Sequence, residues 1–480
     1  MRLVRWIVLA IVVWVPLQGA LAQERPSRPV RPAAAPTQPK QQAVPVIDPD
    51  LMGMVIRDPW FEFDTNPAYP NQPNKAFQDR MGAVLAQAGV RWVRMDFRLA
   101  APISEPVTST LVQNEIAKND YFINVVAPRH GFKVLGLLAF DLLQGTDAND
   151  LNGNTPEDFI ESKYGGGVNQ YMQAWLDRAL AIADRYGDRI AAYQVLNEQN
   201  RLPRYTPDGP VANAIEPSIV GRLVTKLYRF CRGIEVPPDE PVHGCREAQI
   251  ILGGLHPRGT GEEYPIPDDK TDAAYLKAIY ADPGSFGTFY ERYGRWPVDG
   301  IGYHPYPEEI RLSLQEKNMY VDMGVQRIRQ ALVEAGDPCV PTWITEVGYN
   351  VGFDVDGPRG PIPQQTEAGQ AAFLTDVYTS LAARTICGGQ REIAHIFWFK
   401  YEDFPPADDE YDQKGRLINA AQRWGIVRIP FRTPAQGENC PGGACYDVNG
   451  TPALYRLSYY AYRELAGLPV QRIYAPVVQR

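Results

Sequence analysis

Eight short apolar runs recur through this chain, each followed by a longer segment of helical periodicity, and that alternation restricts the fold more than any other feature. The runs are 52–56, 91–97, 133–140, 191–197, 249–255, 300–304, 342–347 and 393–399. Helical patterns follow near 77–88, 114–130, 168–186, 216–232, 272–292, 318–335, 365–386 and 453–466. In the third of these, Tyr171, Trp175, Leu176, Ala179, Leu180 and Ala183 share one face. Strands that are apolar along their whole length are expected to be buried on both faces, as in a parallel sheet covered by helices. Eight βα units in order predict a closed (β/α)8 TIM barrel, an α/β fold, here a single domain with extended βα loops over 48–470. An open doubly wound sheet would need a glycine-rich turn after the first strand, where this chain reads Arg57-Asp58-Pro59-Trp60. No P-loop and no HExxH pattern occurs.

The ends of the chain read differently. Arg2 and Arg5 precede an unbroken apolar run from Trp6 to Val15, and Ala20-Leu21-Ala22 offers a small-x-small cleavage site. This predicts a signal peptide over 1–22, an extracellular or periplasmic location, and no membrane attachment after cleavage, with a retained N-terminal anchor as the alternative. Residues 23–47 are rich in Pro, Ala and Gln and predict a disordered linker, with a short tail at 471–480. Six cysteines suit an oxidising compartment. Cys440 with Cys445 and Cys231 with Cys245 each flank a loop, which leaves Cys339 with Cys387 as a third pair, among fifteen connectivities. A net charge of −8 gives no reason to expect nucleic acid as a partner.

In a barrel of this type, reactive groups stand where the strands end and the βα loops begin. Reading those ends in order gives Arg94, then Asn197-Glu198, then His304-Pro305-Tyr306, then Glu346 and Trp398. A carboxylate placed beside an apolar strand is costly unless partnered, and here two of them end strands four and seven, across the barrel mouth from each other. Two carboxyl groups across one pocket suit glycosidic cleavage: one donates a proton to the leaving oxygen, and the other attacks or activates water.

The segments VLNEQN (195–200), GYHPYP (302–307), TWITEVGYN (342–350) and FWFKYED (397–403) resemble clan A of the glycoside hydrolases, and within it families 5 and 39. The resemblance implies a secreted retaining enzyme that cleaves β-linked poly- or oligosaccharides as a monomer without a cofactor. It makes Glu198 the acid/base and Glu346 the nucleophile. It makes Asn197 the ligand of the sugar 2-hydroxyl and Tyr306 a hydrogen-bond donor to the nucleophile, with Arg94 keeping that nucleophile ionised. Trp398 would floor the subsite of the reacting sugar, and His304 would line it. Family 5 often carries a histidine near the end of strand three, where this chain has Leu137-Leu138-Ala139-Phe140. The acid would need a raised pKa, which burial and a neighbouring carboxylate both favour.

Each residue also has an ordinary structural reading. The two glutamates could form rim ion pairs, Asn197 could cap a loop, and His304 and Tyr306 could fill the mouth. Trp398 could be core, and Arg94 could pair with Asp96 or Asp141. Trp60, Phe61, Trp296 and Tyr349 are further sugar platforms or further packing. Asp150, Asn152, Asn154, Asp158 and Glu161 have the rhythm of a calcium loop, but Thr155 stands where that loop needs glycine. No metal site is expected, since His130, His243 and His256 share no ligand spacing. The alternative function is a non-catalytic carbohydrate-binding barrel in an extracellular assembly.

Overall fold

The computed structural model describes residues 44–56, 74–145, 148–153, 163–201, 205–206, 209–210, 214–257, 271–307, 312–351, 366–404, 410–411, 417–419, 423–433, 445–447 and 449–470. The signal peptide, nearly all of the linker, the C-terminal tail, Trp60, Phe61 and Cys440 lie outside them. Eight strands form a closed barrel: β1 (Met52–Val55), β2 (Trp92–Asp96), β3 (Lys133–Leu138), β4 (Ala192–Asn197), β5 (Gln249–Leu255), β6 (Gly300–Tyr303), β7 (Thr342–Gly348) and β8 (Ile393–Phe399). Every neighbouring pair is parallel, and β1 pairs with both β2 and β8 to close the ring. The fold is therefore the (β/α)8 barrel that the alternation predicts. Among the described residues, no helix is long and apolar enough to cross a membrane.

Element boundaries depart from the sequence reading where backbone chemistry intervenes. The third strand stops at Leu138 and turns into a 3-10 helix, Phe140–Leu142. The helix expected over 272–292 is two, Asp272–Ala281 and Phe286–Tyr293, because Pro283 and Gly284 interrupt it. The one expected over 114–130 divides into Thr110–Ala117, a π-helical turn Phe122–Val126 and a last turn Ala127–His130. That expected over 365–386 ends at Ala382, and Thr385–Ile386 pairs with Gln390–Arg391 instead. Conversely, the one expected over 318–335 starts early, at Leu314, because Ser313 and Glu316 form a reciprocal capping box. The last is shorter, Leu457–Leu465. Helix Gln170–Tyr186 buries Trp175, Leu176, Ala179, Leu180 and Ala183 as expected, and Trp175 Nε1 donates to the Ala139 carbonyl at 3.0 Å.

The packed body begins before residue 48. Val44 packs on the core, and buried Ile47 donates its backbone N–H to the Leu465 carbonyl at 2.7 Å. Cys231–Cys245 and Cys339–Cys387 form disulfides. Cys445 is disulfide-bonded as well, and Cys440, the partner its spacing suggests, falls outside the described residues.

Two apolar layers carry the barrel. Outward-facing strand residues meet the helices in one large cluster. Inside, Val55, Trp92, Leu135, Ala192, Ile251, Trp343 and Phe397 fill the barrel below the mouth. His395 belongs to this plug, its ring centroid 4.1 Å from that of Trp92 and 4.3 Å from that of Trp343. Its Nδ1 meets the Asp50 carbonyl at 2.6 Å. Burial pushes its pKa down to about 4, against the pull of the Asp50 carbonyl and carboxylate, with Lys133 and Arg391 adding to the fall. A histidine held neutral in this way stabilises the fold fully above its unfolded pKa of 6.5, and that contribution drains away as pH falls toward 4. We expect the urea-unfolding free energy of the wild type to drop across this window by about 2 kcal/mol more than that of His395→Gln, whose amide can still donate to Asp50. Parallel pH profiles for the two proteins would assign the acid sensitivity elsewhere.

Candidate active site

Regular alternation along a strand sends successive side chains to opposite faces, so a barrel can aim only every second residue at its axis. This chain breaks the alternation where the functional residues stand. On β7, Ile344 pairs with Ile396 and Val347 with Trp398, so one extra residue of β7 is accommodated between them. The bulge lets both Thr345 and Glu346 contribute to the interior. On β5, Leu252 pairs with Ile301 and Leu255 with Tyr303, which places a second bulge at Gly253-Gly254. On β4, Leu196 and Glu198 take left-handed φ values of 66° and 43°, uncommon for side chains of their size, and they flank Asn197. Strained backbone of this kind persists only where its surroundings hold it in place.

Arg94 lies at the centre, 1% exposed. Its Nε donates to Gln194 Oε1 at 2.8 Å, its Nη1 to Glu346 Oε1 at 2.7 Å, and its Nη2 to Asn197 Oδ1 at 2.7 Å. The alternative partners, Asp96 and Asp141, are taken by Arg98 at 3.3 and 3.5 Å. The other oxygen of Glu346 accepts from the Tyr306 hydroxyl at 3.0 Å. Burial and the charges of Glu346 and Glu198 hold the Tyr306 phenol well above its usual range, so it stays a donor. Glu346 thus has a cation on one oxygen and a neutral donor on the other.

Glu198 stands opposite, anchored through its backbone N–H to the Gly254 carbonyl at 2.9 Å. His304 lies between the two carboxylates, with Nδ1 3.1 Å from Glu198 Oε1 and 3.7 Å from Glu346 Oε2. Its Nε2 meets Thr345 Oγ1 at 3.0 Å. One donor atom each from Glu198, His304 and Glu346 lies within 4.8 Å of the others. Burial raises the Glu198 pKa, but the hydrogen bond from His304 and the charges of His256, His304 and Arg201 outweigh it and hold the carboxyl below its ordinary value. This reverses the raised pKa expected from sequence, because that expectation counted burial and the second carboxylate and omitted the surrounding cations.

Trp398 is misplaced by the sequence reading. It is fully buried, faces the helical layer, and packs against Phe373 at 6.2 Å between ring centroids. With Phe397 inside the plug, period two puts Trp398 outside and returns Phe399 to the mouth. There Phe399 meets Tyr306 at 6.3 Å, Trp424 at 5.7 Å and Phe404 at 5.9 Å, and Trp424 meets Tyr306 at 5.7 Å. These four aromatics, and not Trp398, cluster at the mouth. Trp424 comes from the segment after β8 and carries no sequence pattern of its own. Its backbone is fixed from several sides: Arg423 N–H donates to Asn350 Oδ1 at 2.8 Å, Gly425 N–H donates to Asp403 Oδ1 at 3.0 Å, and its carbonyl accepts from Lys400 N–H at 3.4 Å. A fully buried Lys400–Glu402 ion pair, 2.9 Å long, lies on the same segment.

Other expectations find ordinary packing. Tyr349 is buried against Phe373, and Trp296 stacks on Tyr290 and packs against Tyr280. Asp150 and Asn152 fall on helix Ala148–Gly153, and Asn152 bonds the Ala214 carbonyl and Glu216 N–H; the rest of the calcium-like segment is outside the described residues.

The Gly253-Gly254 pair, unused in the sequence reading, explains why His304 fits. A Cβ on Gly254 would lie 2.0 Å from His304 Nε2. Gly254→Ala should cost about 1–3 kcal/mol in chemical denaturation by overpacking. It should also move the His304 ring resonances, whereas Gly131→Ala, at an open position, should leave those resonances unchanged. An unshifted His304 in the Gly254 variant would show that the ring does not depend on this contact.

No protein-family model matches the chain, and no curated protein matches it in sequence. Among solved structures it is similar to the endo-β-1,4-mannanase from Thermotoga petrophila, at 13% identity over 87% of this chain and 76% of that one, with a TM-score of 0.46. It is similar to a family 39 glycoside hydrolase from Bacteroides cellulosilyticus WH2, at 12% identity over 88% of this chain and 66% of that one, with a TM-score of 0.43. A β-glucosidase from Thermotoga maritima gives 14% identity over 88% of this chain and 98% of that one, with a TM-score of 0.48.

Proposed function

We propose that this chain is an exported retaining glycoside hydrolase acting on a β-linked poly- or oligosaccharide, with Glu346 as nucleophile and Glu198 as acid/base. The observation that carries the reading is the approach of the two carboxylates, with an oxygen of each inside a 4.8 Å cluster at one barrel mouth. A retaining enzyme needs its carboxyl groups about 5–5.5 Å apart, whereas an inverting one needs about 6.5–9.5 Å to admit a water. In the first step Glu346 bonds to the anomeric carbon while Glu198 gives a proton to the departing oxygen. Glu198 then takes a proton from water, and the water oxygen displaces Glu346. Arg94 and Tyr306 each donate to one oxygen of Glu346 and so orient it for attack. With Asn197 Oδ1 fixed on Arg94, its amide nitrogen is the end that donates to a sugar hydroxyl. The wall of Phe399, Trp424 and Tyr306 suits the apolar face of a pyranose ring. Export is supported by the disulfides, which persist in oxidising compartments.

Replacing either carboxylate should separate this reading from a barrel that only binds glycans. Glu346→Ala and Glu198→Ala should each lower kcat/KM by about a thousandfold or more on a polysaccharide panel, with unchanged thermal unfolding. Azide should restore Glu198→Ala on an aryl glycoside and yield a β-glycosyl azide. Glycan binding without turnover in the wild type would favour the binding barrel, and turnover surviving both replacements would end the assignment.

The trio Glu198, His304 and Glu346 also has the donor types of a metal site. Its atoms are already engaged by Arg94, Tyr306 and Thr345, and a dication there would face the Arg94 guanidinium. Hydrolysis should therefore be unchanged after dialysis against EDTA. Loss on chelation with recovery on adding a divalent metal would point to metal-assisted hydrolysis instead.

A further inference from the structure

Both oxygens of Glu198 are occupied. Oε1 faces the fully buried His304, and Oε2 accepts from Arg201 Nη1 at 2.9 Å. A general acid must present an O–H to the leaving oxygen, and a guanidinium on Oε2 favours the ionised carboxylate over that O–H. Oε1 points into the barrel, so Oε2 is the oxygen an incoming leaving group meets. Arg201 follows Glu198 in a tight turn, closed by its N–H on the Glu198 carbonyl at 2.8 Å. Its side chain is 50% exposed against 14% for Glu198, so it reaches the acid from the solvent side.

We propose that Arg201 holds Glu198 in its ionised form in the free enzyme, and that an anionic substituent on the leaving-group sugar draws Arg201 away and frees the acid. This rests on the glycosidase reading and adds the substrate class: acidic glycans, with a carboxylate or sulfate on the sugar beyond the cleaved bond. A guanidinium exchanges one carboxylate for another readily, because its planar fork matches any oxyanion pair. A half-exposed ion pair is also weak enough to be traded. A neutral leaving group offers no such exchange. The other charged or titratable groups facing Glu198 are His304 from the end of β6, His256 from the end of β5, Glu346 from β7 and the Tyr306 phenol. His304 is buried and tied to Thr345, and the His256 backbone is tied to Asn200, which leaves Arg201 as the cation best placed to move.

The test has one arm that needs no turnover. A 13C-carboxyl NMR titration, with the Glu198 signal assigned by its loss in Glu198→Gln, should show that carboxyl titrating higher in Arg201→Gln than in wild type by about half a pH unit or more. Added D-glucuronate should raise it in wild type but not in the variant, and D-glucose should change neither. Glucose 6-sulfate in place of glucuronate separates sulfate from carboxylate as the captured group. The second arm uses paired aryl β-glycosides whose nitrophenol leaving group does or does not carry a carboxylate. Wild type should favour the carboxylated member in kcat/KM by about fivefold, Arg201→Lys should keep part of that preference, and Arg201→Gln should abolish it. The alkaline limb of kcat/KM for the neutral member should move to higher pH in Arg201→Gln, a change that a merely structural role would not produce. An unmoved Glu198 titration, or the same preference in both proteins, overturns the proposal. Absence of hydrolysis on every glycoside would count against the enzyme reading, while the NMR arm would still decide the role of Arg201.

Discussion

The mouth of this barrel depends on one buried guanidinium. Arg94 gathers Gln194 and Asn197 from β4 and Glu346 from β7 onto a single planar donor set. Neither the guanidinium nor the Glu346 carboxylate could be left buried alone, since breaking such a pair from one side typically costs about 3–5 kcal/mol. The pair is therefore a constraint as much as a source of stability: each strand can close the barrel only in the register that brings its partner to Arg94. Gln194 follows the regular inward alternation, whereas Glu346 does not, and the β7 bulge is the local adjustment that brings it into reach.

That adjustment explains how far the sequence could be read. The eight strands, their order and the identity of both carboxylates follow from apolar periodicity and from residues at strand ends, because these are properties of single segments. Faces within a strand are harder to read, since one bulge or one miscounted residue reverses them. Glu346 reaches Arg94 and Tyr306 at the mouth although simple alternation from Trp343 and Thr345 would send it outward. Trp398 was placed wrongly by one position, and the mouth received Phe399. Trp424 was out of reach for a different reason. Its position is set by Asn350, Asp403 and Lys400, three residues distant in sequence or on other segments, and no local pattern records that convergence.

The electrostatics show the same division. Burial and a second carboxylate both argue for a raised Glu198 pKa, and both are present. The sign is reversed by His304, His256 and Arg201, which only the folded chain brings around the carboxyl. A list of carboxylates read from sequence therefore names candidates for acid and base without their resting charges.

The hydrogen bonds of His304 suggest how a carboxyl held ionised can still act as an acid. Its Nδ1 lies 3.1 Å from Glu198 Oε1 and 3.7 Å from Glu346 Oε2, so that nitrogen donates toward carboxylate oxygens. Nε2 meets the Thr345 hydroxyl, which can rotate to donate or to accept. A proton carried on Oε2 leaves Oε1 accepting from Nδ1, so the fully buried His304 ring holds the Glu198 carboxyl in the same place in either charge state. In the proposed reaction His304 therefore positions Glu198, while the group facing Oε2 decides whether the proton can be delivered from there.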